Sequence, residues 1–457
     1  MSASAVSTPA DPEARVSTTR LVRAASLVFC GVLPVIVVGL VFVGAVQDSA
    51  VATDFTQFYR AAQAILHAQN PYGADQPVAA WGGPYPYPPL PALGAVVLTA
   101  LSLQVAGLLV MGVLVAVALA TLAVLDVRDW RCYGVVLLWP PVINAIQTGN
   151  VTLWFALAAA LAWRFRDRLL TPAAAIGVTL AAKFFLWPLS VWLAATRRWA
   201  AAALSLALGA ALLVVSWAVI GFDGFLGYPA LLRRLEHVVG RDSYTTYVVG
   251  LELGVPSVAS RALWLALGFA VLATVVVVAR RGDQRSAFVL ALGATLALTP
   301  IVWLHYFALL LVVVALARPT LGVLWFVPLA MIVTPGSGHP TLFESSATLV
   351  VAAVTTTLAL RSTLGSNPGD ASPQAEPASS RARRQVPSPR QHTRQRRRYP
   401  STRSAPSGST SASSPGAWRT ATPSSCGRRW SAGPRSCSGG RGPATSGSST
   451  AASISAT

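Results

Sequence analysis

The chain has 457 residues, of which 54% are hydrophobic and only 11% are charged. A soluble protein of this size carries about a quarter charged residues. Apolar runs of close to 20 residues recur from Leu27 to about Leu360. The composition therefore excludes a soluble globular protein, and it predicts an all-α integral membrane protein with about ten to thirteen membrane segments.

The formal net charge of +19 is concentrated at one end of the chain. Residues 362–457 hold 14 Arg and 2 acidic residues, a net charge of +12, and almost no Leu, Ile or Val. Such a segment cannot bury a core, so we expect a disordered Arg/Ser/Pro-rich tail, or the translation of a misread frame in a GC-rich gene. A basic patch for anionic lipid or nucleic acid is the alternative, although we expect no nucleic-acid partner.

Familiar signatures of soluble enzymes are missing from the sequence. There is no Walker loop, no Rossmann glycine fingerprint and no HExxH motif, and the four cysteines lack the spacing of a metal site. We therefore expect no metal and no cofactor. A donor that is soluble in the membrane is more plausible than a nucleotide sugar.

In chain order, residues 1–24 form a polar N-terminal segment with three arginines before the first apolar run. Positive residues at this position favour a cytoplasmic N-terminus. The membrane domain then covers residues 25–361, and its first loop, residues 47–88, faces outward. A second polar loop, residues 221–261, is the other large outward candidate and contains a short interfacial helix.

The first outer loop opens with TDFTQFYRAAQAILHAQNPYG. From Asp54 onward its apolar residues share one helical face, which predicts an amphipathic interfacial helix that stops at Asn70-Pro71. Asp54 followed by Gln57 also resembles a capping box, in which the carboxylate accepts backbone N–H groups. A structural cap and a catalytic acid are therefore both possible roles of Asp54, and the two are not exclusive.

Two apolar segments are too short to cross the membrane twice. Residues 171–196 must go out and return within 26 residues, because basic clusters that indicate the cytoplasm flank them on both sides. Each leg would measure about 20 Å at 1.5 Å per residue, against a bilayer core of about 30 Å. Residues 132–163 behave in the same way, with the polar break QTGN at their turn. Both turns then point to the outer side.

Three polar residues within apolar surroundings are candidates for chemistry. Lys183 is the only lysine of the chain, and an amine at membrane depth normally faces a cavity with an anionic partner. It suits a phosphate, although snorkelling to the interface is the alternative. His305, in TPIVWLHYF, is either a ligand or a satisfied packing residue. Asn150 either bonds sugar hydroxyls or caps a helix turn.

Five motifs, taken together and in order, resemble glycosyltransferase family 87 of the GT-C superfamily. They are DFTQFYRAAQAILHAQNPY, YPYPPLPAL, the GN turn after PPVINAIQT, AAKFFLWPLSVWLAATRRW and TPIVWLHYF. The resemblance covers roughly residues 27–360 and excludes the tail. One departure is that members of the family often have a His-His pair where this chain has His305 and Tyr306.

The resemblance implies a GT-C-type helical bundle that transfers mannose, with inversion, from polyprenyl-phosphate mannose to a phosphatidylinositol mannoside or lipomannan acceptor. It implies that Asp54 is the general base and that Lys183 and His305 bind substrate. Asp54 alone would take the acceptor proton, while cations stabilise the departing phosphate, with Arg60 as a further candidate. The complete set of expected substrate-binding residues is Lys183, His305, Tyr59, Arg60, Asn150 and Tyr306.

Alternatives remain within and outside this enzyme class. The sugar could be arabinose or glucose, and a lipid or solute transporter would fit the same composition. A transporter predicts paired repeats with broken helices, and the sequence shows no such symmetry. The implied location is the plasma membrane, with the active site on the extracytoplasmic face.

Overall fold

The structure, a computed structural model, describes residues 12–47, 51–73, 83–334 and 339–364. In these ranges the chain forms seventeen α-helices and no β-strand, which confirms the predicted all-α membrane fold. They lie within one compact unit, Met1–Ala375. The second unit, Glu376–Thr457, and with it nearly all of the predicted disordered tail, lies outside the described residues.

The α-helices follow one another with short connections. In the first part of the chain they are α1 (Pro12–Leu27), α2 (Leu33–Gln47), α3 (Thr53–Leu66), α4 (Pro89–Ala95), α5 (Leu103–Val124), α6 (Trp130–Leu137), α7 (Pro140–Thr148), α8 (Thr152–Arg164) and α9 (Leu170–Lys183). In the second part they are α10 (Trp187–Ala195), α11 (Trp199–Val219), α12 (Tyr228–Val239), α13 (Thr246–Glu252), α14 (Ser257–Arg280), α15 (Gln284–Leu298), α16 (Leu310–Ala317) and α17 (Leu342–Leu364). A π-helical turn, Val28–Val32, joins α1 to α2, and 3₁₀ turns occupy Val96–Ala100, Gly240–Asp242, Leu304–Leu309, Val323–Trp325 and Val327–Val333.

Five helices among the described residues are long and apolar enough to cross a membrane. They are Arg20–Gln47, α5, α11, α14 and the Leu342–Ser362 part of α17. The bent pair α7 and α8 makes a sixth if it is one span. Five shorter apolar helices of 10–17 residues in the described part of the chain must be added to approach the predicted total of about ten to thirteen membrane segments, and they need neighbouring helices to cover their ends.

The predicted break at QTGN is present between α7 and α8, whose axes are bent by 118°. Gly149 ends α7 in the left-handed conformation, with φ +68°. A Cβ atom at this position would lie 2.8 Å from the Cβ of Phe55 and 2.9 Å from that of Ala52. The absence of a side chain at Gly149 therefore lets the start of α3 pack directly against the break.

The predicted reversal within residues 171–196 is also present. Lys183 is the last residue of α9, and Phe184, with φ 50°, turns the chain toward α10. The 14 residues of α9 span about 21 Å and the 9 residues of α10 about 14 Å, so neither crosses a bilayer core alone. Gly177 lets α9 approach α11 closely, because a Cβ there would lie 3.0 Å from the carbonyl oxygen of Ser205.

Basic residues collect where several helices end together. Arg164 pairs with Asp126 at 3.0 Å, which joins the ends of α8 and α5. Arg198 pairs with Asp167 at 2.5 Å and donates to the side chain of Gln284 at 2.9 Å. A cavity of about 400 Å³ beside them is lined by further arginines, Arg128 and Arg285. We call this end of the bundle the arginine edge.

The second polar loop packs against the first polar loop, at the end of α11 that lies away from the arginine edge. It contains the predicted interfacial helix as α12, of which only Leu231 and Val239 are buried. The Tyr228 hydroxyl donates to the carbonyl oxygen of Pro86 at 2.9 Å. Tyr72 stacks on Trp217 with ring centroids 4.9 Å apart. The two outer-loop segments therefore support each other beside the start of α4.

Candidate functional site

Asp54 lies in the first turn of α3 but does not cap that helix. The N-cap position is Ala52, with φ 48°, and it has no side-chain capping bond. The Asp54 carboxylate instead accepts a hydrogen bond of 2.6 Å from Nδ2 of Asn150. The capping-box interpretation is therefore wrong, because the partner of this carboxylate comes from the break after α7.

Asn150 is held in one orientation by its own neighbours. Its Oδ1 accepts from the backbone N–H of Thr152 at 2.9 Å and from the Thr152 hydroxyl at 2.6 Å. Since both donors need the amide oxygen, the amide nitrogen must face Asp54. Asn150 is fully buried, so it supports the start of α8 and orients the acid at the same time.

The environment of Asp54 favours a carboxyl that can exchange a proton. Its helix, α3, is outside the membrane-spanning segments. Burial raises the pKa of Asp54 above its ordinary value, while the hydrogen bond from Asn150 and the positive charge of Lys183 oppose that rise. The side chain keeps 19% of its surface exposed. The carboxyl is therefore open to a substrate, although protein surrounds it on most sides.

Lys183 is held between two tyrosines at the C-terminal end of α9. Its Nζ donates to the Tyr306 hydroxyl and, at 3.4 Å, to the Tyr87 hydroxyl. Nζ also lies 4.2 Å from the ring centroid of Tyr306 and 4.7 Å from that of Tyr87. Nζ therefore lies toward the hydroxyl ends of both rings, where the two hydroxyl oxygens and the helix C-terminus favour a positive charge.

His305 closes the site from the turn before α16. The side chain is buried, and its Nδ1 lies 3.1 Å from Oδ1 of Asn144. Its Nε2 lies 3.9 Å from Oδ2 of Asp54, too far for a hydrogen bond. Among the described residues this buried Nε2 has no hydrogen-bond partner.

The structure brings most of the predicted residues into one cluster. Asp54, Asn150, Lys183, His305 and Tyr306 come together from four separate parts of the chain. We call these five residues, together with Tyr87 and Asn144, the polar cluster.

Two predicted substrate-binding residues have other surroundings. The Tyr59 hydroxyl donates to the carbonyl oxygen of Leu101 at 2.7 Å, and its buried ring packs on Phe55. Arg60 is exposed. It follows Asp54 by six residues and so lies about 240° around the axis of α3. Neither side chain is placed in the polar cluster.

Sequence reasoning missed the function of two members of the cluster. Tyr87 is one of the aromatic residues around YPYPPLPAL that suggest sugar stacking or interfacial anchoring, and its contact with Lys183 depends on the packing of α9. Asn144 lies six residues before Asn150 in PPVINAIQTGN. An amide between the apolar residues Ile143 and Ala145 was the signal that could have identified it.

The ionisable groups of the cluster are one carboxyl, one amine, one imidazole and the phenols of two tyrosines. Over the described ranges, no three His, Cys, Asp or Glu side chains gather as they would around a metal ion. The arrangement can accept a proton at Asp54 and stabilise a negative charge at Lys183 without further groups.

The fold and this cluster define a class: a polytopic all-α membrane protein with an acid and an amine beside a broken helix. Residues 85–300 match the model of glycosyltransferase family 87. The match supports the resemblance to this family and indicates a membrane glycosyltransferase. The matched range includes Tyr87, Asn150 and Lys183. Asp54 lies before this range and His305 lies after it. No curated protein and no solved structure matches the chain.

Proposed function

We propose that the chain transfers mannose from polyprenyl-phosphate mannose to a hydroxyl group of a lipid-linked glycan, of the phosphatidylinositol mannoside or lipomannan type. The observation that carries this proposal is the polar cluster. In it a partly open carboxyl, Asp54, and the only amine side chain of the protein, Lys183, interact electrostatically.

The proposed reaction needs one base. The acceptor hydroxyl oxygen attacks the anomeric carbon of the donor from the face opposite the phosphate, and its proton passes to the Asp54 carboxylate. A new glycosidic C–O bond forms while the bond between the anomeric carbon and the phosphate oxygen breaks. The polyprenyl phosphate leaves with the electron pair of that bond, so the configuration inverts. Asp54 then releases its proton to water.

Asp54 has the surroundings that a general base requires. A base is most effective when its pKa is near the operating pH, and burial moves the pKa of Asp54 upward toward that range. The hydrogen bond from Asn150 opposes the rise in the pKa, because it favours the ionised form. The same bond fixes the direction in which the carboxylate faces the substrate.

Lys183 is suited to the leaving group. Negative charge collects on the phosphate oxygens as the glycosidic phosphate bond breaks, and a positioned cation stabilises that charge. The Tyr306 hydroxyl accepts a hydrogen bond from Lys183. Members of the family often have the second histidine of a His-His pair where this chain has Tyr306. In this chain Tyr306 therefore positions the amine of Lys183.

The arrangement of charges supports an extracytoplasmic site in the plasma membrane. The polar cluster lies at the Asn150 end of α8 and the arginine edge at its Arg164 end. The 13 residues of α8 separate the two by about 20 Å. Because positive residues concentrate on the cytoplasmic side, the cluster faces the other side.

The test replaces Asp54 with Asn and follows radiolabelled polyprenyl-phosphate mannose into lipid glycans in membranes. We expect transfer to fall by about 100-fold or more, because the base is lost while the side-chain volume is kept. Asp126→Asn is the matched control, since this acid lies at the arginine edge and is 55% exposed. It should transfer at the normal rate.

Two results would overturn the proposal. One is normal transfer by Asp54→Asn at equal protein level. The other is the absence of labelled product from any polyprenyl-phosphate sugar. Parallel donors carrying arabinose or glucose identify the sugar, and labelling from one of these alone would replace mannose in the proposal.

A further inference from the structure

We infer that Asn144 fixes His305 as a hydrogen-bond acceptor, so that the glycan acceptor must present two neighbouring hydroxyl groups, one to Asp54 and one to His305. This inference rests on the proposed function and specifies the acceptor chemistry at the same site. It makes His305 a specificity-determining residue and Asn144 a positioning residue.

The first observation is an unpartnered atom. His305 is only 5% exposed, and its Nε2 is fully buried without a hydrogen bond to any described residue. A buried polar atom left in this state is energetically unfavourable, so it favours a ligand that can donate to it. Nε2 is 3.9 Å from the Asp54 carboxylate, which is itself partly open. The unpartnered nitrogen therefore lies beside the carboxylate that takes the proton of the attacking hydroxyl.

The second observation is the contact that sets the tautomer of the ring. In a neutral imidazole one nitrogen donates and the other accepts. Nδ1 faces the amide oxygen of Asn144 at 3.1 Å, and an oxygen can only accept. Nδ1 therefore carries the proton, and Nε2 presents a lone pair.

The surroundings oppose a second proton on the ring. The positively charged Nζ of Lys183 is bound to the adjacent Tyr306, whose ring centroid is 4.7 Å from that of His305. Another positive charge so close to the amine would be repelled. A protonated Nε2 would also form a short bond with the Asp54 carboxylate, yet the two atoms are 3.9 Å apart.

The Asp54 carboxylate and Nε2 of His305 are both hydrogen-bond acceptors, and the distance between them determines which group of a substrate fits there. The carboxylate must take the proton of the attacking hydroxyl and Nε2 lacks a donor among the residues that the structure describes, but a single hydroxyl group has only one proton. Two hydroxyls on adjacent carbons of a sugar ring supply one proton to each. The first hydroxyl attacks as its proton passes to Asp54, while the second donates to Nε2 and fixes the orientation of the sugar ring. A water molecule can make the same two bonds before the sugar displaces it.

The experiment uses octyl α-mannoside as the acceptor probe, together with each of its monodeoxyfluoro analogues, and the full-length protein in detergent with polyprenyl-phosphate mannose. A C–F group can accept a weak hydrogen bond but cannot donate one. We expect one analogue next to the attacking hydroxyl to show kcat/KM lower by about 10- to 100-fold, since the buried Nε2 stays unpaired. In His305→Ala the ratio between parent and analogue should fall to about one.

Asn144 is tested through the same ratio. Asn144→Leu removes the oxygen that holds Nδ1–H and should bring the ratio toward one, whereas Asn144→Asp keeps an acceptor and should preserve it. Ser190→Ala is the control, because it removes a buried 2.9 Å hydrogen bond to Ser205 outside the cluster. A merely structural effect would lower the rate with parent and analogue alike and leave the ratio unchanged.

The outcomes separate this inference from the proposed function. If the parent acceptor is labelled but every analogue next to the attacking hydroxyl reacts equally well, the inference is wrong and the transfer proposal stands. The inference is also wrong if His305→Ala keeps the ratio of the unmodified protein. If no polyprenyl-phosphate sugar labels the parent acceptor, the proposed function fails and the inference fails with it.

Discussion

Replacing Gly149 with Ala should damage the site through the backbone rather than through any catalytic group. The added Cβ would lie 2.8 Å from the Cβ of Phe55, whereas ordinary contacts begin at 3.4 Å. The start of α3 must then retreat by about 0.6 Å. Asp54 precedes Phe55 directly, so its 2.6 Å bond to Asn150 would lengthen to about 3.2 Å, the limit for a hydrogen bond.

The energetic cost has two parts. A side chain in the left-handed conformation costs about 1–2 kcal/mol, and overpacking against α3 adds about 1–3 kcal/mol. Gly221 provides a matched control, because its φ of +69° is the same but no atom lies within 4 Å of the Cβ position. Gly221→Ala should therefore show the first cost alone.

The assay combines thermal unfolding in one detergent with the rate of sugar transfer. We expect Gly149→Ala to unfold at a lower temperature than Gly221→Ala and to lose about 10-fold or more in kcat/KM, because the general base is misplaced. Gly221→Ala should keep the transfer rate of the unmodified protein. Equal melting temperatures for the two variants, or normal transfer by Gly149→Ala, would refute the idea that close packing of α3 against Gly149 positions Asp54.

Two further predictions concern charged groups. Lys183→Met removes a positive charge that opposes the rise in the pKa of Asp54. The pKa of Asp54 should therefore rise further. Because transfer needs the carboxylate, the residual transfer rate of the variant should begin to increase only at higher pH. A transfer rate that increases at the same pH as in the unmodified protein, or at a lower pH, contradicts this. Asp129, 12% exposed, accepts hydrogen bonds from Arg131 and the backbone of Leu321, which lower its pKa to about 2. Asp129→Asn should cost about 2 kcal/mol of stability at neutral pH, and the deficit in chemical unfolding should shrink as the pH falls below about 4, where the unfolded carboxyl binds a proton; a deficit independent of pH would disprove the linkage.

Sequence reasoning identified the features that depend on composition and local chain geometry. The sole lysine was conspicuous because an amine within an apolar segment needs a specific reason to be there. The break at Gly149 and the reversal after Lys183 followed from the length of the apolar segments against the thickness of a bilayer. Both depend on neighbours in the chain, which the sequence displays directly.

Pairings between distant residues were not accessible in this way. The pattern Asp54 to Gln57 favoured a cap, but the carboxylate is bound by Asn150, 96 residues further on. Tyr59 was expected at the substrate, yet its hydroxyl bonds a main-chain oxygen, and any residue can supply such a partner. The contact of Asn144 with His305 spans 161 residues. Tertiary packing decided these partners, and local patterns carry no information about it.

The shortness of α9 and α10 has a consequence for how the protein reaches its folded state. A helix of 14 residues that ends in a lysine is a poor independent occupant of a lipid bilayer, and the 9-residue helix after it is poorer still. The insertion machinery must therefore hold this hairpin until α11 emerges and covers it through the contact at Gly177. Biogenesis should then be most vulnerable to changes in α11, even at positions far from any reacting atom.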